Sequence, residues 1–243
     1  NVTNGVTFTT VPTITISGNN LPVTTGNGYP LMTWGSGSPT TNGTTLVLPS
    51  LLTGSLSIVG STLYLQITGS SAPTDSWAGG NGIWDVNNSA NTIWKDTNAV
   101  STYYVDGYAV VFDNTVGSGG TVKLNTNVNP ASVTVTNPTA NYLISGSGGI
   151  TGSTSLTKSG AGTLTLTTTN TYTGVTTINS GTLQIGNGTT NGSIASSGAI
   201  TDNGVLAFNI AGNQTNGMVI SGAGSLTKSG AGTLILTGTN SYT

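Results

Sequence analysis

The chain has 243 residues and a net charge of −2, its only charged side chains being four Lys and six Asp, with no Cys, His, Arg or Glu. Charged residues make up 4% of it, against roughly 25% in an ordinary globular domain, which leaves no basic face for nucleic acid. The missing Cys and His exclude a disulfide framework, the usual zinc ligands and the commonest general base.

Residues 1–74 carry no charged side chain. Short strands are expected at Val6–Thr10, Thr13–Ile16, Thr45–Leu48, Leu56–Val59 and Thr62–Ile67, separated by Gly, Asn, Pro and Ser clusters. Thr suits their outer faces, because its β-branch favours extended backbone and its hydroxyl keeps the surface wet without charge. Flat uncharged strands are an aggregation hazard at a sheet edge, and a solenoid hides its edges except at its two ends. The segment is therefore expected to be the closing coils of an upstream β-helix, in preference to a β-sandwich cap.

Residues 75–115 differ sharply, with Asp75, Asp85, Asp96, Asp106 and Asp113 and three of the four Trp, namely Trp77, Trp84 and Trp94. One reading is a β connector whose Trp rings form a small core and whose Asp residues cap turns. A second is a sugar platform built on Trp77, Trp84 and Trp94. A third is a Ca²⁺ site, since Asp and Asn oxygens suit that ion, but neither EF-hand nor RTX spacing is present. The connector is preferred, and no metal is expected at Asp85, Asp96, Asp106 or Asp113. Asp85 with Asp96, or Asp106 with Asp113, could supply the carboxyl pair of a hydrolase, yet no Arg or His stands by to bind an acidic sugar or tune a pKa.

From residue 116 to 243 short strands follow without a break: Thr121–Leu124, Ser132–Val135 and Tyr142–Ile144, after Val110–Phe112. Residues 155–173, SLTKSGAGTLTLTTTNTYT, return at 225–243 as SLTKSGAGTLILTGTNSYT, and near-identity at a fixed offset marks a stacked-repeat architecture. Leu164 and Leu166, and Leu234 and Leu236, alternate with mostly Thr neighbours, the period-two pattern of a half-buried strand. Gly160 and Gly162, and Gly230 and Gly232, supply a turn ahead of each strand. After the first copy, Val175, Ile178, Leu183 and Ile185 form the expected inward set. Asn170 and Asn240 hold equivalent places suited to a stacked hydrogen-bonded ladder, and Tyr172 and Tyr242 recur as structural positions of the repeat. Lys158 and Lys228 recur at one repeat position, which favours a solvated or turn-anchoring role over a unique base.

The strings G-x-G-T-L-x-L (Gly160–Leu166), N-x-Y-x-G (Asn170–Gly174) and I-N-x-G-T-L-x-I-G (Ile178–Gly186) resemble the autotransporter-associated β-strand repeat, also called the passenger-associated transport repeat. The resemblance covers about 50 residues over the two copies. It implies an all-β fold, a right-handed parallel β-helix, in a large exported bacterial surface protein, and it implies no activity.

The expected architecture is thus a β-solenoid with a small Trp/Asp-rich β insert, about 12 coils long at ~20 residues per coil. Asn1 opens directly into NVTNGVTFTT with no signal peptide, and the second repeat stops inside its pattern, so a piece of a longer chain is expected. The expected function is a non-catalytic structural or adhesive rod at the cell surface or outside the cell, without cofactor or membrane span. Its expected partners are further coils of the same chain or a second copy met head-to-tail, with surface glycans besides. A glycan-binding module and a polysaccharide-degrading β-helix enzyme are the alternatives.

Overall fold

The computed structural model describes residues 13–15, 28–33, 35, 45–47, 52–70, 73–114, 119–194 and 198–242. Among these, every regular element is a strand, and no helix is long and apolar enough to cross a membrane, which says nothing of a β-barrel. The chain divides into two compact units, residues 1–72 and 73–243.

In the first unit β1 (Thr13–Thr15) pairs in parallel with a later strand, while β2 (Tyr29–Thr33) belongs to an antiparallel sheet. Strand β3 (Thr45–Val47) is the partner of β1; β4 (Leu52–Val59) and β5 (Thr62–Ser70) complete the antiparallel sheet in the order β2-β5-β4. Leu63, Leu65 and Ile67 are buried at alternate positions along β5, and Leu65 and Ile67 form a small core with Tyr29, Leu46 and Leu56. In its described part this unit holds the parallel pair β1–β3 and a three-stranded antiparallel sheet. Only Gly60 and Ser61 separate β4 from β5, and so short a link closes a hairpin, whereas parallel neighbours need a long crossover. The expected strand Val6–Thr10 lies outside the described residues.

The second unit is a β-solenoid of about six turns. It opens with β6 (Thr74–Trp77) and β7 (Gly82–Ile83), then leaves the coil for β8 (Trp94–Lys95) and β9 (Ser101–Thr102). Regular coils follow: β10 (Ala109–Phe112) and β11 (Gly120–Leu124), then β12 (Ser132–Thr136) and β13 (Tyr142–Gly146). The next coils carry three strands each: β14 (Ser155–Ser159), β15 (Thr163–Leu166) and β16 (Thr169–Asn170), then β17 (Thr176–Ile178), β18 (Thr182–Ile185) and β19 (Ser193–Ile194). Strands β20 (Ile200–Asp202), β21 (Val205–Asn209) and β22 (Gln214–Asn216) precede β23 (Ile220–Ser221), β24 (Ser225–Ser229) and β25 (Leu234–Leu236).

The first face stacks β6, β10, β12, β14, β17, β20 and β23 in parallel; the second stacks β7, β11, β13, β15, β18, β21 and β24. The pairs β16–β19 and β22–β25, with the bridge Val128↔Ile150, make the third. Each coil takes roughly 20 residues, within the usual range of a solenoid repeat. The pairings Leu164↔Leu183 and Thr176↔Ile200 mark a short coil and a longer one. The twelve expected coils shrink to about six because the first 72 residues form another unit and the excursion through β8 and β9 adds no coil.

Alternate side chains point inward and form continuous columns. On the second face Val122, Ile144, Leu166, Ile185 and Phe208 share one column, and Tyr142, Leu164, Leu183, Leu206 and Leu226 another. All but Leu226 are buried. The expected inward set needs one correction: Val175 is exposed, and Thr176 takes the interior place with its hydroxyl 2.7 Å from that of Tyr172. Counting back by twos from Ile178 reaches Thr176, and a hydroxyl with a partner is tolerated inside.

Corner glycines let the chain turn between faces. Gly160 has φ +80, and a Cβ there would stand 2.6 Å from the Asn137 carbonyl oxygen. Gly230 has φ +76, while at Gly162 and Gly232 an added Cβ would collide with the backbone at Ala140 and Gly212. Gly160→Ala should lower stability by more than about 1 kcal/mol, seen as a lower urea midpoint at unchanged slope. An unchanged midpoint would show that the corner accepts a Cβ.

The sequence repeat and the coil do not share a period. Ile150 lies on the third face, but its counterpart one repeat later, Ile220, lies in β23 on the first. The pentapeptide SLTKS forms β14 on the first face and β24 on the second; TLTL forms β15 on the second, and its counterpart β25 lies on the third. One repeat is therefore about three and one-third coils, and each copy is turned by one face relative to the last.

Candidate functional site

The Trp/Asp-rich segment begins inside the solenoid and closes over its first coil. Strand β8 runs antiparallel to β6 with Ser76↔Lys95 and Trp77↔Trp94 in register, and β9 pairs with β8 beyond it. The outer edge of the first parallel strand is thereby occupied by a short antiparallel ribbon. Such ribbons cannot propagate a parallel stack, which makes this segment a cap.

Trp77, Trp84 and Trp94 are each 0% exposed. Trp94 packs edge-on to Trp77 at 5.0 Å and to Trp84 at 5.3 Å between ring centroids, and Tyr104 and Phe112 close the cluster at 5.9 and 5.6 Å. Edge-to-face rings at these separations attract beyond their buried area. Sugar stacking needs an open ring face and none of the three offers one; the buried rings form an aromatic plug, the arrangement of the preferred connector and not of the alternative sugar platform. The indole nitrogen of Trp77 donates to Gly80 O at 3.4 Å, while those of Trp84 and Trp94 are buried without a partner.

The Asp residues serve turns. Asp85 accepts from the Asn88 and Asn91 amides at 2.6 and 2.7 Å, and Asn91 also donates to Ile83 O. Asp96 Oδ1 accepts from the backbone N–H of Asn98 and Val100, both at 2.9 Å. Asp106 Oδ1 accepts from the Tyr104 hydroxyl at 3.0 Å and from the Asn129 N–H at 2.8 Å. Burial, followed by the nearby Asp106 charge, holds the Tyr104 hydroxyl well above its ordinary pKa. No three His, Cys, Asp or Glu side chains gather as metal ligands among the described residues. Asp75 differs from the others: it is 1% exposed, and its Oδ2 has no hydrogen-bond partner. Burial, then the charge of Asp96, raises its pKa to about 7. Nothing in the residue pattern separated Asp75 from the turn-capping Asp residues; its inward phase on β6 depends on a register that only the fold supplies.

In the repeats the same motif meets different surroundings. Lys158 is fully buried, its Nζ donating to the carbonyls of Ser159 and Gly160 at 2.9 and 2.7 Å and to Ser180 O at 3.4 Å; burial lowers its pKa to about 8. Lys228 donates to Ser229 O and Gly230 O at 2.7 and 2.9 Å yet is exposed. In both copies the ammonium gathers the corner carbonyls beside a glycine of positive φ. Leu164 and Leu166 are 0% exposed, while Leu234 and Leu236 on β25 are half-buried and pack against the same core. Asn170 Oδ1 accepts from Ile150 N at 3.0 Å and Asn240 Oδ1 from Ile220 N at 2.9 Å. The two Asn side chains thus bridge coils in the same way but lie on different faces, so they do not stack on each other. Tyr172 is buried and Tyr242 exposed.

Outside the cap, the first face presents Thr134, Thr157, Thr177, Thr201 and Ser221 in unbroken register on its outer side. The hydroxyls repeat at the ~4.8 Å strand spacing.

Parallel coils, inward apolar columns and a repeated corner motif define a β-solenoid repeat protein. The kind of repeat follows from comparison with known proteins: residues 156–185 and 226–243 match the passenger-associated-transport-repeat family, and the chain carries those repeats. A stretch of 74 residues is 49% identical to the Adhesin BmaC autotransporter of Brucella suis biovar 1 (strain 1330), covering 30% of this chain and 2% of that protein. No solved structure matches the chain.

Proposed function

We propose that this chain is a non-catalytic structural and adhesive segment of an exported bacterial surface protein. The observation that carries the reading is the solenoid's make-up: continuous parallel ladders around an apolar core with a neutral hydroxyl-rich outer face, in a chain that carries passenger-associated-transport repeats and shares a 74-residue stretch with an autotransporter adhesin. Stacked backbone ladders supply stiffness, and uncharged hydroxyl rows supply many weak contacts that ionic strength does not screen. The partner that fits the last coil is another coil of the same repeat, whether from this chain or from a second copy met head-to-tail. Leu226 and Lys228 are in the inward register of Leu206 and Phe208 but stand partly or largely open, where their counterparts Leu156 and Lys158 are sealed between coils.

Beads coated with the 243-residue chain should adhere to an epithelial monolayer or to one another more than albumin-coated beads. Adhesion should be nearly the same at 50 mM and 500 mM salt, because charge-driven contacts weaken steeply over such a range and this surface has few charges. Absence of adhesion in both assays, or adhesion abolished by salt, would overturn the reading.

A further inference from the structure

Where the cap joins the first coil, two carboxyl groups act on each other. Asp96 follows the last residue of β8, one position beyond the pairs Ser76↔Lys95 and Trp77↔Trp94, and its charge acts on the Asp75 carboxyl. Like charges brought together across neighbouring antiparallel strands destabilise the pair. Asp75 also occupies the interior column, next to Val110 in the following coil, and its Oδ2 is buried without a partner.

Among the described residues, the groups around Asp75 supply no cation. Lys95 falls on the other face of β8 and donates to Ser101 Oγ at 2.6 Å. From the segment ahead of β10, Tyr104 acts on Asp75, but its hydroxyl donates to Asp106. Strand β10 contributes the neutral Val110. Asp96 accepts from two backbone N–H groups, whereas Asp75 Oδ2 accepts from nothing, so Asp75 is the member that takes the proton.

We propose that the Asp75–Asp96 pair makes the cap pH-responsive: with Asp75 protonated the β8–β9 ribbon is clamped on β6, and ionisation of Asp75 loosens it. The sense follows from linkage. The carboxyl's pKa is raised to about 7 in the folded cap from the usual 3.8, so the closed state binds the extra proton. Cap stability is full in acid, falls as pH rises from about 4 to about 7, and is flat above. Opening would uncover the edge of β6 and the aromatic plug.

Amide hydrogen exchange on the 243-residue chain, corrected for intrinsic exchange, tests this at pH 5.5 and 8.5. Amides of β6 and β8 should lose protection by on the order of tenfold more at the higher pH, while amides of β15 and β18 keep theirs. Asp75→Asn should abolish that difference, and Asp96→Asn should move its midpoint to lower pH by removing the like charge. Equal cap protection at both pH values, or a pH response that survives in Asp75→Asn, would overturn the proposal. Should Asp75→Asn fail to fold, an unmoved midpoint in Asp96→Asn would overturn it equally.

Discussion

Trp94→Ala is expected to be the most damaging single change in the solenoid unit, at about 3–5 kcal/mol for the loss of a large buried aromatic. The ring lies at the centre of the plug, in contact with Trp77, Trp84, Tyr104 and Phe112, and Trp77 and Phe112 belong to solenoid strands. Removing it leaves a cavity where the cap joins the first coil and also removes the Trp77↔Trp94 cross-strand pair. Urea unfolding followed by circular dichroism would measure the loss. A cost within about 0.5 kcal/mol, the range of an ordinary surface change, would mean that the segment is not a plug and that its rings are available for other work. Trp94→Phe, which keeps an aromatic in place, should recover part of the loss.

Leu166→Ala is expected to cost about 2–5 kcal/mol. Leu166 is sealed between Ile144 and Ile185 in the second-face column, with coils on both sides, so the surroundings have little room to collapse into the space. Leu236→Ala, at the equivalent repeat position, should cost distinctly less, because that side chain is half-buried in the last described coil. Equal costs at the two positions, measured on the same chain by urea unfolding, would show that the sequence copy and not the coil environment governs the energy. The pair of substitutions thus separates what the repeat encodes from what its place in the stack adds.

Much of the fold was legible in the residues because a solenoid is nearly one-dimensional. Period-two alternation at Leu164, Leu166, Leu183 and Ile185, with Gly at the corners and Asn in the turns, dictates short strands with one buried face. Near-identity of two copies at a fixed offset dictates stacking. Charge of 4% and the lack of Cys, His, Arg and Glu exclude whole classes of chemistry before any contact is known. These are local or compositional properties, and they do not depend on which strands pair.

What the tertiary structure alone decided depends on pairing and on the length of each coil. The same SLTKS lies on one face in the first copy and on the next in the second, because the offset between copies is not a whole number of coils. Lys158 on β14 lies between β12 and β17 and is buried among carbonyls, while Lys228 on β24, the last strand described in its stack, is open, though their neighbours in sequence are identical. The three Trp residues could have been platform or plug; the antiparallel return of β8 onto β6 turns them inward. Asp75 and Asp96 are well separated in the chain, and only that return brings the charge of one to bear on the other. In the first unit, a two-residue link converts strands of the same Thr-rich composition from coils to a hairpin. Alternation tells a strand which face to hide, but only the long-range register tells it what will lie on the hidden side.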